Sequence, residues 1–182
     1  MLHFQKPFII LLVMTVIMSS TEYEEPYEYA LRIAKTEIAR SDHFIHVTYH
    51  TIENPKFLES ISEHVIKAAK LALQALLEYE LAYKRIDVYV DKLAPQIDLF
   101  EDEIYLRYRF APDHLRLLKR LRRLEQSSKE AIIRFHRNDR YYFSSPRMET
   151  ESISFDEVKV LFKFTKSFIA KVDTVIGNKE GR

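Results

Sequence analysis

Apolar residues recur at helical spacing through most of the chain, and one stretch carries them on more than one side. Between residues 54 and 84, Leu58, Ile61, Val65, Ala68, Ala69, Ala72, Leu76 and Tyr79 keep the three-and-four spacing of a helix face. Ile66, Leu73 and Leu77 set a second apolar stripe beside the first. A helix that is apolar on several sides is contacted from several directions, so it predicts the centre of the fold. Asn54-Pro55 opens it and no Gly or further Pro interrupts it. At 1.5 Å per residue it spans roughly 45 Å, enough to organise a small domain.

The other elements follow from the same pattern. Pro26, with acids around it, predicts the start of a first helix, whose Ala30, Ile33, Ala34, Ile38, Ser41 and Ile45 share one face. Residues 46–52 are β-branched enough for a strand but have no hairpin partner nearby, so the helix is extended to about Thr51. A tight turn at Glu53-Asn54-Pro55 then makes the first two helices antiparallel. A shorter helix over 95–108 carries Ile97, Phe100 and Ile104 inward, and another over 114–129 buries Leu117, Leu118, Leu121 and Leu124. Periodicity fades over 131–153, which reads as loop or short extended pieces around Pro146. Ser154 followed by Glu157 forms a capping box for a last amphipathic helix that stops at Gly177-Asn178. The expected fold is an all-α, single-domain bundle of four to five helices over 21–178, with a tail at 179–182.

Residues 1–20 stand apart. Lys6 precedes about 11 apolar residues, too few for a span of about 20. They read as upstream residues of an over-long gene model whose true start is Met14 or Met18, or as a signal or anchor. The expected localisation is cytoplasmic, with a membrane partner only if this leader is genuine.

Composition narrows the chemistry. Two Gly among 182 residues argue against turn-rich β folds and phosphate-binding Gly loops, and the absence of Cys removes disulfides, thiolate zinc sites and thiol nucleophiles. A net charge of +1 hides an asymmetry, because Lys and Arg outnumber Asp and Glu twelve to four over 107–147. Arg116, Arg120 and Arg123 fall at i, i+4, i+7, one side of a helix whose other side is Leu. Arg134, Arg137, Arg140, Tyr141 and Tyr142 follow in the next segment. Guanidinium groups match phosphate and aromatic rings stack on unpaired bases, so these eight residues predict a nucleic-acid-binding face. The alternative for such a run is a solvated ion-paired surface.

His43, His46 and His50 share a helix face, and a turn centred near Asn54 sets His43 opposite His64, but no HExxH or paired ExxH accompanies them, so no metal or other cofactor is expected.

The run EYALRIAKTEIARSDHFIHVTYHTIENPKFLESISEHVIKAAKLALQALLEYE resembles a group of archaeal helical proteins without an assigned activity. RFHRNDRYYF and SFDEVKVLFKFTKSFI resemble the same group's basic segment and closing helix. The resemblance covers about 28–176 and implies the helical fold only. Arg40 and His46 form R-x5-H, similar to the pair that marks ribonucleases of the HEPN group, in which Arg holds phosphate and His assists proton transfer. That family carries the pair in its last helices, whereas here it lies on the first. The functional expectation is therefore a non-catalytic binding protein for RNA or a ribonucleoprotein. The alternatives are a HEPN-like ribonuclease using Arg40 and His46, or a structural adaptor, homodimer or binder of an acidic protein.

Overall fold

The computed structural model describes residues 24–49, 56–137 and 140–178. Five helices pack as a bundle around α2, and a small three-stranded antiparallel sheet closes one end. The elements are α1 (Pro26–His43), α2 (Lys56–Ala82), α3 (Leu93–Leu99), α4 (Pro112–Glu130), β1 (Ile133–Arg137), β2 (Arg140–Ser144), β3 (Thr150–Ser154) and α5 (Phe155–Gly177). Wider π turns continue α1 over Phe44–Thr48 and α3 over Phe100–Ile104. The helical reading of 46–52 holds as far as Tyr49, and the predicted turn at residues 53–55 lies outside the described residues, as does the leader. No helix among the described residues is long and apolar enough to cross a membrane.

The all-round apolar pattern of α2 has the predicted consequence. Leu58, Ile61, Ala68, Ala69, Ala72, Leu73, Ala75, Leu76 and Leu77 have no exposed surface. Alanines on this helix let α1 and α5 approach closely along it. Ile97, Phe100 and Ile104 are likewise fully buried, and Phe100, Phe110 and Phe168 make edge-on or tilted ring contacts that join α3 to α5.

Helix ends follow local chemistry. Pro sits in the first turn of α1 and of α4, where its missing N–H has no partner to lose. The Ser154 hydroxyl accepts from the Glu157 N–H at 3.2 Å, as the capping box predicts. Lys84 and Arg109 take left-handed φ angles of 55° and 53°. Behind them the Arg85 N–H reaches Glu80 O, and the Phe110 N–H reaches Tyr105 O. These six-to-one bonds are Schellman endings built without glycine.

The expectation for 131–153 requires correction: the segment is a sheet of order β1-β2-β3, not loop. Arg137 pairs with Arg140, Phe135 with Tyr142, Tyr142 with Ser152 and Tyr141 with Ile153. One face of the sheet buries Tyr141, Phe143 and Ile153. There Phe143 and Ile153 meet Ser62 and Ile66 of α2 and Leu124 of α4 around a residual cavity of about 30 Å³. The alternation was hidden because aromatic residues occupy both faces of β2, which masks the period of two. In addition, Asn138-Asp139 is not the Asn-Gly or Asp-Gly pair that announces a short hairpin.

Candidate functional site

The register of the sheet sorts the basic segment into two faces. Ile133, Phe135, Arg137, Arg140, Tyr142, Ser144, Thr150, Ser152 and Ser154 share the outward side, and no carboxylate stands among them. Phe135 and Tyr142 are cross-strand partners whose rings lie parallel, 4.9 Å apart at 4°. Phe135 is 40% exposed on β1, an edge strand that contacts β2 alone among its larger neighbours. Arg137 is exposed beside this stack, and the Arg140 guanidinium is steadied by the Ser152 hydroxyl at 2.9 and 3.2 Å. The sheet thus presents two aromatic faces, two cations and several hydroxyls on one side.

The inward side holds the remainder of the predicted segment, and here two expectations change. Tyr141 is 2% exposed and its hydroxyl donates to Glu59 of α2, so its ring is not available for stacking. Burial, reinforced by Glu59, raises the pKa of its phenol, which keeps it protonated as the donor. Arg134 shares that carboxylate at 3.3 Å and donates to Ser128 O at 2.8 Å. It lies on the opposite face from Arg137 and Arg140, because residues one or three apart on a strand point to opposite sides.

The α4 stripe is also divided. Arg116 is exposed and pairs with Asp113, and Arg123 is exposed with no ion pair among the described residues. Arg120 does not line the outside as predicted. Its side chain is 16% exposed and is clamped by Glu157 at 2.7 Å, Glu151 at 2.9 Å and Ser152 O at 3.0 Å. Burial works against its charge, but the two carboxylates outweigh that and raise its pKa. Lys119 pairs with Glu101, Arg122 with Asp98 and Lys129 with Glu125. An open groove of about 890 Å³ runs beside this helix, lined by Arg116, Arg123, Val160 and Phe164 and by several of the acids. Most of the basic charge on α4 is therefore compensated locally, unlike that on the outward sheet face.

No family model, curated protein or solved structure matches the chain. The fold and the site consequently rest on its own residues.

Arg40 and His46 face different neighbours. Arg40 donates to Glu37 at 3.1 Å, on the side of α2. His46 lies 3.4 Å from Asp42 and packs edge-on against Phe162 of α5. Among the described residues no group of three His, Asp or Glu side chains is placed to hold a metal ion.

Two buried carboxylates escaped the sequence reading. Glu80 is fully buried and accepts from Arg85 at 3.1 Å, from Tyr108 at 2.6 Å and from Arg107. Glu37 is 3% exposed and accepts from His64 Nδ1 at 2.6 Å, Lys67 at 2.9 Å and Arg40. Burial pushes the Glu37 carboxyl up, but the Lys67 and His64 hydrogen bonds prevail and hold it below the ordinary range. A signal was present in Glu37-x-x-Arg40 on one predicted helix and His64-x-x-Lys67 on its antiparallel neighbour, each couple one turn long.

Proposed function

We propose that this chain binds single-stranded RNA, free or in a ribonucleoprotein, on the outward face of its three-stranded sheet. The observation that carries the reading is the parallel Phe135–Tyr142 stack, open to solvent and flanked by Arg137 and Arg140 with no acid on that face among the described residues. Unpaired bases stack on such rings without regard to sequence, and arginines meet the phosphates between them. The Ser and Thr hydroxyls of β3 offer donors and acceptors to bases and to 2′-hydroxyl groups. An aromatic pair that served the hairpin alone would contribute about 0.5–1.5 kcal/mol to stability and nothing to binding.

The test is titration of labelled single-stranded RNA with the full chain and with Phe135→Ala and Tyr142→Ala. Each substitution is expected to weaken binding by about 1–3 kcal/mol if its ring carries a base. Tyr141→Phe, which keeps the buried ring and removes only the bond to Glu59, should leave affinity unchanged. Equal affinity for the parent and both alanine variants would remove the sheet from the reading.

A further inference from the structure

The end of α2 away from the sheet carries a separate concentration of charge, roughly 20–25 Å along the helix from Ser62 and Ile66. An open pocket of about 540 Å³ lies there, between the last turns of α2 and α5 and the turn that follows α3. Arg85, Arg107, Tyr108, Lys171 and Asn178 border it, and no carboxylate does among the described residues. Glu80 is fully buried and takes hydrogen bonds from Arg85 Nη1 at 3.1 Å, from the Tyr108 hydroxyl at 2.6 Å and from Arg107 Nη1. Arg85 also donates to the Tyr108 hydroxyl at 2.6 Å and lies 5.1 Å from the centre of the Tyr83 ring. One buried carboxylate thus fixes two guanidinium groups, which reduces the side-chain freedom they would lose to a ligand. Helix capping does not account for the cluster, because backbone N–H groups take the last carbonyls: Tyr83 on Tyr79, Arg85 on Glu80 and Asn178 on Thr174. Ion pairing does not account for it either. Glu103 lies 3.7 Å from Arg107 Nη2, beyond hydrogen-bond reach, and its side chain is 51% exposed. Lys171 has no ion pair among the described residues and sits 5.9 Å from the centre of the Phe110 ring.

We propose that this pocket binds the phosphate group of a small phosphate monoester. The site is independent of the sheet and of the RNA-binding reading. Glu80 and Glu103 together leave one of the three cations without a counter-charge. A phosphate monoester carries about 1.5–2 negative charges at neutral pH and three terminal oxygens, so it can meet Arg85, Arg107 and Lys171 at once. A carboxylate or an internal RNA phosphate brings a single charge and satisfies fewer of them. The guanidinium groups match phosphate oxygens in a planar fork, while the Lys171 ammonium adds a point charge on its own stem. The Asn178 side-chain amide, at the rim, supplies a neutral donor. The volume is that of a small-molecule pocket, which leaves room for the organic body of the ester beside its phosphate.

The experiment is calorimetric titration of the full chain with ribose 5-phosphate, at an ionic strength held constant with sodium chloride. The expected result is saturable binding that inorganic phosphate competes away and that ribose does not show. Dimethyl phosphate, with one charge, should bind at least about 10-fold more weakly. Lys171→Gln removes a cation that has no ion pair to lose, so its thermal midpoint should stay in place while affinity falls at least about 10-fold. Arg107→Gln should weaken binding similarly, and Arg137→Gln on the sheet should leave it unchanged. Should Arg107→Gln fail to fold because Glu80 loses a partner, Lys171→Gln decides alone. No saturable binding of ribose 5-phosphate by the unmutated chain overturns the proposal, and so does undiminished affinity in folded Lys171→Gln. Equal affinity for dimethyl phosphate overturns it as well. So does an oligoribonucleotide whose 5′-phosphate binds here without competition from ribose 5-phosphate, since the ligand is then a strand end.

Discussion

His114 shows how far a single side chain can depart from what its position suggests. It lies in the first turn of α4, yet it is 4% exposed and packed against the rings of Phe110 and Phe168. Its Nε2 meets the Ser167 hydroxyl at 3.1 Å. Burial lowers its pKa, with Asp113 opposing and Lys171 assisting. The consequence for stability has a definite sign. Below the ordinary imidazole value of about 6.5 the unfolded chain takes up a proton that the folded site resists. The contribution of this site is therefore complete above that pH and is lost as pH falls through it. Between about pH 8 and about pH 5.5, the thermal midpoint should fall less in His114→Gln than in the parent. Equal falls in the two proteins would show that the site takes its proton as readily as the unfolded chain.

At the scale of elements, the helix ends carry a testable strain. Lys84 and Arg109 occupy left-handed backbone conformations that close α2 and the helical turns after α3. A side chain in that region costs about 1–2 kcal/mol relative to the right-handed one, and glycine avoids it. Both residues are exposed and neither forms an ion pair among the described residues. Lys84→Gly and Arg109→Gly are each expected to raise stability by up to about 1 kcal/mol, read by urea denaturation with an unchanged slope. A loss of stability in either variant would mean that the aliphatic stem contributes packing that outweighs the relief. The sheet offers the contrary lesson. Its strands were not legible as strands, since Tyr141, Tyr142 and Phe143 give three consecutive aromatics where a half-buried strand shows alternation. Only the pairing with β1 and β3 sorts them, with Tyr141 and Phe143 inward and Tyr142 outward.

For the whole molecule, a net charge of +1 means that no global field draws RNA to the surface, so any salt dependence must arise from a few local cations. Two phosphate contacts by Arg137 and Arg140 predict a log–log salt slope of about 1.4, at about 0.7 per single-strand phosphate. Replacing both with Gln should flatten the slope almost entirely. The same change at Arg116 and Arg123 should leave it in place, because Arg116 already has Asp113 and the groove beside α4 is lined with acids. If the α4 variant flattens the slope and the sheet variant does not, the interface lies on α4.

By itself, the sequence determined the helices, the central place of α2 and the cap of α5. Those properties depend on neighbours three and four positions apart, and periodicity carries such information directly. It also marked the basic segment and most of the residues that the outward face uses. Tertiary structure alone decided which of them are free. Arg120 turns inward because Glu151 and Glu157 arrive from β3 and α5. Tyr141 is tethered to a carboxylate 82 residues away. Glu37 acquires His64 from 27 residues away and becomes a buried, paired carboxylate rather than one more surface acid. Charge and aromaticity are written in the chain, but exposure and partnership are properties of the packed molecule, where segments remote in sequence meet.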